Sequence, residues 1–355
     1  MGEKVMMKGN EAIAEGAVRA GCRFFAGYPI TPQNEIPEYL SWRLPEVGGT
    51  FIQAESEVAA INMLYGATAC GARVMTSSSG PGISLKQEGI SYSAGAELPI
   101  FYANVERGGP GLGNIAPSQG DYFQATRGGG HGDYRVIVLA PSTVKEMANF
   151  PKRCYELGEK YRNPSMILTD GILGQMMEPL EFDFEPIDPK TLPPKDYTLG
   201  NAEKEGRERR VVRSYDLGSG GMEKHCFKLQ AKFDQIEANE VRFEDYYLDG
   251  AEIVIVAYGS CARIAKSSVT LGHSQGVKIG LLRPITLWPF PTKVINQIAS
   301  KVENILVAEM SLGQLIDDVK IAVEGKAKIH LHARPSGGIP TPEEILDKAK
   351  NILKS

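Results

Sequence analysis

The chain has 355 residues, a length that suits two domains better than one. Its net charge is -4, and no block of Lys and Arg is interleaved with aromatic residues, so neither nucleic acid nor a membrane surface is expected as a partner. Since no apolar stretch is long enough to span a membrane and the N-terminus lacks the apolar core of a signal peptide, we expect a cytoplasmic protein.

The five cysteines are scattered along the chain, with no C-x-x-C pair and no histidine at ligand spacing. Iron–sulfur clusters and structural zinc sites need several ligands that are brought together by such spacings. We therefore expect no metal site on this chain, and thiols that stay reduced.

The first predicted elements are a helix over residues 10–20 and a strand over 22–26, and the strand runs into the turn 27–32. Two prolines fix the backbone of this turn, which leaves Tyr28 and Thr31 at the carboxyl end of the strand. By itself the turn indicates only a rigid connection, with Thr31 as the cap of the next helix.

The stretch 50–71 joins a short strand directly to a helix of apolar and small residues. Because this helix is apolar nearly all round, we expect it to be buried, so that Glu57 carries a carboxyl group into the interior where open parallel sheets bind ligands. One interpretation makes Glu57 a first-turn acid favoured by the helix dipole, with Ser56 as the N-cap. The other makes it a buried acid that shares a proton with a ligand, and this stretch alone leaves both open.

Two further strands are predicted over residues 73–76 and 99–105. The first is followed by the Ser/Gly turn 77–82, which opens a helix but lacks the P-loop signature, and no G-x-G-x-x-G occurs in the chain. The second leads into Arg107 and the glycine-rich loop 108–113. Arg107 has the fork geometry for a carboxylate or phosphate contact, although an exposed arginine is equally compatible with the sequence.

Predicted strands over 135–140 and 165–169, with a helix over 144–161 between them, complete a six-strand alternation and so a doubly wound parallel sheet. A proline-rich, acidic stretch and an amphipathic helix over 222–236 follow, and they are typical of a linker or of a surface for another subunit. Four more strands then alternate with four helices, which predicts a second, smaller α/β domain. The predicted units are a first domain at 1–180, a linker arm at 181–245 and a second domain at 246–355.

Three motifs, Tyr28-Pro29-Ile30-Thr31-Pro32, Glu55-Ser56-Glu57 and Glu106-Arg107-Gly108-Gly109-Pro110, occur in this order. At these separations they resemble the α chain of the 2-oxoacid:ferredoxin oxidoreductases. The resemblance extends over essentially the whole chain and looks greatest for the 2-oxoisovalerate (branched-chain) enzymes. It implies a thiamine-diphosphate pyrimidine-binding domain followed by a transketolase C-terminal-like domain. It also implies oxidative decarboxylation of a 2-oxoacid to acyl-CoA and CO2, with coenzyme A as co-substrate and ferredoxin as electron acceptor.

The resemblance assigns roles to individual residues. Glu57 matches the catalytic glutamate, which shares a proton with a pyrimidine ring nitrogen and favours the imino tautomer that deprotonates the thiazolium carbon. Thr31 and Arg107 match the residues that hold the carboxylate of the 2-oxoacid. Tyr28 and Pro29 are expected to contact the cofactor beside Glu57.

The sequence lacks the G-D-G segment that anchors the cofactor's diphosphate through magnesium, and it lacks cluster-binding cysteines. The resemblance therefore implies that Mg and [4Fe-4S] clusters are held by partner chains: a β chain with the diphosphate site, a ferredoxin-like δ chain and a γ chain. The alternatives are a 2-oxoglutarate- or pyruvate-specific member of the family and a non-catalytic α/β scaffold subunit. A nicotinamide dehydrogenase would need the missing glycine fingerprint.

Overall fold

Two mainly parallel sheets organise the chain in the computed structural model, which describes residues 4–200 and 202–354. The strands are β1 (Val5–Lys8), β2 (Phe24–Gly27), β3 (Thr50–Gln53), β4 (Val74–Ser78), β5 (Phe101–Glu106), β6 (Ile137–Leu139), β7 (Ser165–Asp170), β8 (Met177–Leu180), β9 (Phe243–Tyr246), β10 (Ile253–Val256), β11 (Ile279–Pro284), β12 (Thr286–Trp288), β13 (Asn304–Glu309) and β14 (Lys328–Ala333). The helices are α1 (Gly9–Arg19), α2 (Glu35–Glu46), α3 (Glu57–Ala69), α4 (Pro81–Gly95), α5 (Tyr122–Arg127), α6 (Val144–Tyr161), α7 (Gly171–Gln175), α8 (Gly221–Asn239), α9 (Gly259–Ser274), α10 (Thr292–Ala299), α11 (Leu315–Val323) and α12 (Pro342–Lys354), with one 3₁₀ turn at Pro189–Thr191.

The larger sheet has the strand order β12-β6-β7-β5-β4-β2-β3. Its six strands from the first half of the chain are parallel, as the strand–helix alternation predicts. The seventh strand, β12, comes from the second half and pairs antiparallel with β6. The sequence analysis did not predict β12, because this strand of three residues follows β11 almost directly and has no helix before it.

The smaller sheet has the strand order β14-β13-β10-β11-β9. Four of its strands are parallel, and the edge strand β9 pairs antiparallel with β11. These two sheets, with helices between successive parallel strands, confirm the predicted α/β fold class. The division into 1–180, 181–245 and 246–355 stays a prediction; residues 1–3 lie outside the described part of the chain, and residue 246 is the last of β9.

The helix α3 is less buried than its composition predicts. Ile61 and Leu64 are buried against the sheet and α4, but Val58 is 40% exposed, and Asn62 and Gly66 are also exposed. The expectation of burial all round was wrong because a helix of small and apolar residues gives no polar stripe that would mark its outer face.

The two domains share one core. A continuous apolar cluster includes Ile61 and Leu64 on α3 together with Val254 and Val256 on β10. Between the domains, the buried Gln119 side chain donates to the carbonyl of Tyr258 at 3.0 Å and accepts from the Met310 amide at 3.0 Å. Within the described residues, no helix is both long and apolar enough to cross a membrane.

Candidate active site

Three of the sequence motifs meet at one edge of the larger sheet. The strands β3, β2, β4 and β5 are adjacent in that order, so the segments that leave their carboxyl ends lie side by side. Those segments carry Glu57 after β3, Thr31 after β2 and Arg107 after β5, while the first turn of α4 follows β4.

Glu57 is the first residue of α3 and is only 6% exposed. Ser56 caps the helix as predicted, with its Oγ accepting from the Ala59 amide at 3.1 Å. None of the described residues donates a hydrogen bond to the Glu57 carboxylate. A nearly buried carboxylate without a donor is costly, and its acceptor capacity is available for a ligand.

The first turn of α4 lies against both Glu57 and Arg107. At Gly82 a Cβ atom would overlap Ser78 Oγ and stand 2.5 Å from Glu57 Oε1, so only glycine lets the helix pass this close to the carboxylate. At Gly80, which has φ +44°, a Cβ would be 3.4 Å from Arg107 Nε. The hydroxyl of Ser78 is buried and has no hydrogen-bond partner in the described part of the chain.

Arg107 ties two loops together. Its Nη1 donates to the carbonyl of Thr31 at 3.1 Å and its Nη2 to the carbonyl of Leu112 at 2.9 Å. Its Nε is buried and has no partner among the described residues. Thr31 itself is exposed and does not cap α2 as predicted, because the chain makes an extra turn and the helix begins only at Glu35.

Tyr28 and Pro29 lie at the rim of the site. Tyr28 is 39% exposed, and its carbonyl accepts from Gln33 Nε2 at 3.3 Å. Pro29 is exposed and lines a neighbouring cavity of 260 Å³ together with Phe51. Gln33, which the sequence analysis missed, is fully buried and accepts from Ser77 Oγ, so it fastens this turn to β4.

A cavity of 580 Å³ opens beside Arg107 and the first turn of α4. The second domain forms its other wall through Leu312, Gln314, Pro335 and Ser336. Asn114 Nδ2 donates to the carbonyl of Ser336 at 3.0 Å, and Ser336 Oγ donates to the carbonyl of Gly109 at 2.6 Å. No motif in the sequence indicated that the second domain contributes to the site. The loops that follow its parallel strands were the one feature that could have indicated this, because such loops commonly form ligand sites.

A buried acid stands next to Arg107. Glu106 Oε1 accepts from the Asp121 amide at 2.8 Å, and its Oε2 is buried without a partner among the described residues. Burial, with Asp121 nearby, raises the pKa of Glu106 well above its ordinary value. Burial likewise raises the pKa of Asp121. Burial of Glu106 therefore favours the protonated form of its carboxyl group, a property that the motif alone does not reveal.

Two family models cover most of the chain. Residues 15–239 match the pyruvate flavodoxin/ferredoxin oxidoreductase, thiamine diphosphate-binding family, and residues 251–345 match pyruvate:ferredoxin oxidoreductase core domain II. The chain belongs to the 2-oxoacid:ferredoxin oxidoreductase family. The resemblance that its motifs indicated is thereby confirmed.

Curated relatives of this oxidoreductase subunit include the ketoisovalerate oxidoreductase subunit VorB of Methanothermobacter thermautotrophicus, 49% identical over 98% of this chain and 97% of the relative. The 2-oxoglutarate synthase subunit KorA of the same organism is 37% identical over 98% of each chain.

Among solved structures, the oxidoreductase subunit is similar to 2-oxoglutarate:ferredoxin oxidoreductase from Magnetococcus marinus, determined with 2-oxoglutarate, coenzyme A and succinyl-CoA bound. The TM-score is 0.85 at 27% identity, and the match covers 99% of this chain and 65% of that one. A split-gene transketolase, at TM-score 0.60 and 13% identity, shares the fold.

Proposed function

We propose that this chain is the α subunit of a branched-chain 2-oxoacid:ferredoxin oxidoreductase. The reaction converts 2-oxoisovalerate or a related 2-oxoacid, coenzyme A and oxidised ferredoxin to acyl-CoA, CO2 and reduced ferredoxin. The substrate class is supported by the identity to ketoisovalerate subunits, 49%, against 37% for the 2-oxoglutarate subunit. The observation that carries the catalytic role is the nearly buried Glu57 carboxylate, which accepts no hydrogen bond from any residue that the structure describes.

The polar groups beside Glu57 fit the pyrimidine half of thiamine diphosphate. The Glu57 carboxylate and the Ser78 hydroxyl, which have no hydrogen-bond partner in the described part of the chain, lie together beside Gly82, where a polar heterocycle would satisfy both. When bound, thiamine diphosphate supplies the thiazolium carbon that attacks the 2-oxo group. Glu57 would hold the proton at a pyrimidine nitrogen, with Tyr28 and Pro29 as contacts at the rim.

Arg107 and Thr31 are proposed to bind the carboxylate of the 2-oxoacid. Two backbone carbonyls already fix the orientation of the Arg107 guanidinium, and its buried Nε, which has no partner among the described residues, is a donor that a bound carboxylate would satisfy. Because these contacts exist before the substrate binds, little ordering is required at the moment of reaction.

The remaining chemistry is proposed to lie on partner subunits. The sequence has no G-D-G segment and no C-x-x-C pair, so the diphosphate site with its Mg and the [4Fe-4S] clusters are assigned to β and δ chains, with a γ chain completing the complex. The cavity beside Arg107 lies next to the proposed carboxylate site and has the second domain as its other wall, so it is proposed as the entry route of the 2-oxoacid.

Replacing Glu57 tests the catalytic role. In the reconstituted complex, Glu57→Gln should lower turnover by about 10²–10⁴-fold, because the amide cannot exchange the proton. Glu55→Gln is the matched control, since Glu55 is exposed two residues earlier. Assembly is checked by size-exclusion chromatography, and unchanged turnover in Glu57→Gln would favour the scaffold alternative.

A substrate panel tests the specificity. The complex should give a higher kcat/KM for 2-oxoisovalerate than for 2-oxoglutarate, pyruvate or indolepyruvate. A preference for 2-oxoglutarate or pyruvate would overturn the substrate assignment and leave the reaction class in place.

A further inference from the structure

A fully buried lysine lies on the inner face of α4, and none of the roles above uses it. Lys86 is 0% exposed. Its Nζ donates to Thr76 Oγ1 at 2.8 Å and to the carbonyl of Ser77 at 2.9 Å, both on β4. These acceptors are neutral, so no carboxylate is hydrogen-bonded to the ammonium within the described residues. A buried cation held in this way is costly and calls for an explanation.

The position of Lys86 relates it to Glu57. Gly82, whose Cα faces the Glu57 carboxylate, precedes Lys86 by one helical turn, so both residues lie on the same face of α4. Ser77, whose carbonyl accepts from Lys86, is followed directly by Ser78. The Ser78 hydroxyl lies beside Gly82, as the Glu57 carboxylate does.

The charge of Lys86 responds to Glu57. Burial lowers the pKa of Lys86 to about 7, and the Glu57 carboxylate acts in the opposite direction. The groups of β4 that face Lys86 are uncharged. Arg107 is a further charged group near the start of α4, at the Gly80 end of the same helical turn.

We propose that Lys86 is a positioning residue for catalysis, whose buried ammonium sets the proton affinity of Glu57. This inference rests on the proposed function. A cation near a carboxylate stabilises its ionised form and so weakens its hold on a proton. Lys86 thereby controls how the proton is shared between Glu57 and the cofactor's pyrimidine.

The test is a pH titration of the assembled complex loaded with thiamine diphosphate. Near-ultraviolet circular dichroism follows the protonation of the bound aminopyrimidine, which is a readout independent of turnover. In Lys86→Met the midpoint should move to higher pH by about half a unit or more, since a favourable charge for the anion is lost. The acid limb of kcat/KM should move in the same direction.

Thr76→Val is the graded comparison, because it keeps the Lys86 side chain but removes one of its two hydrogen bonds and so weakens the charged form. Its midpoint should move in the same direction as in Lys86→Met, but by less. Should Lys86→Met fail to assemble, Lys86→Gln removes the same charge and must show the same upward shift.

A wild-type midpoint in the neutral variant, or an equal shift in Thr76→Val, would overturn the role of Lys86. The two proposals fail separately. Wild-type turnover in Glu57→Gln overturns the proposed function, whereas a dead Glu57→Gln with an unshifted Lys86→Met overturns only this inference.

Discussion

Arg107 shows how one side chain can serve both the fold and the site. Its two terminal nitrogens hold the turn after β2 and the glycine-rich loop through the carbonyls of Thr31 and Leu112. Its Nε has no partner in the described part of the chain. The planar guanidinium can hold both loops and still keep one donor for a ligand, because its N–H groups point in fixed and different directions.

Arg107→Lys separates charge from geometry at this position. An ammonium keeps the charge but cannot bridge both carbonyls and still present a donor to the substrate, so we expect kcat/KM for 2-oxoisovalerate to fall about 100-fold, mainly through KM. Steady-state kinetics on the reconstituted complex measure this, with exposed Arg209→Lys as the control. A kcat/KM close to that of the wild type would remove Arg107 from substrate binding.

At the scale of elements, the first turn of α4 is the part of the fold that defines the site. It begins with Pro81 directly after Gly80, and proline is favoured there because the first helical amides have no partner within the helix. At each glycine of this turn a built Cβ would meet the side chain of a proposed site residue: Arg107 at Gly80 and Glu57 at Gly82. The turn thus sets the separation of two proposed site residues.

Gly82→Ala should displace the Glu57 carboxylate, since the new Cβ would stand 2.5 Å from Glu57 Oε1. We expect the affinity of the complex for thiamine diphosphate to fall at least about 10-fold, measured by calorimetry. Gly66→Ala on α3 is the control, because no other part of the described chain lies within 4 Å of a Cβ built there, and alanine should stabilise the helix by about 0.5–1 kcal/mol. Equal affinities in the two variants would contradict the close approach of Gly82 to the Glu57 carboxylate.

The sequence predicts elements well where local signals agree. The helix α6 has the predicted limits, with Thr143 Oγ1 accepting from the Glu146 amide as its cap, and β13 and β14 are two of the four strands predicted for the second domain. The strands β1 and β8 were missed because four-residue strands that pair only with each other carry little pattern. The buried position of Lys86 was also missed, since a lysine within a helix ordinarily indicates an exposed face.

At the scale of the whole molecule, the site belongs to both domains. The motifs bring Glu57, Thr31 and Arg107 to one sheet edge, and this could be anticipated from their places after parallel strands. The contact between Asn114 and Ser336 joins positions 222 residues apart and depends on how the domains pack. No local pattern encodes such a contact, so the wall of the cavity from the second domain became visible only in the structure.

The whole chain should still hold only half of the cofactor. The proposed role of Glu57 supplies a carboxylate for the pyrimidine, but the sequence has no G-D-G segment for the diphosphate, so we expect no measurable binding of thiamine diphosphate to the isolated chain by titration calorimetry. The reconstituted complex under the same conditions should bind it. Tight binding by the isolated chain would contradict the division of the site between subunits.

The most direct measurement concerns the proton on the reactive carbon of thiamine diphosphate. Its exchange with deuterium can be followed by rapid quench and NMR in complexes that carry wild-type chain, Glu57→Gln or the exposed control Glu55→Gln. If Glu57 drives cofactor activation, exchange should slow at least about 100-fold in Glu57→Gln and stay at the wild-type rate in the control. Exchange at the wild-type rate in Glu57→Gln would show that another group performs the proton transfer, and the account given for Glu57 would be wrong.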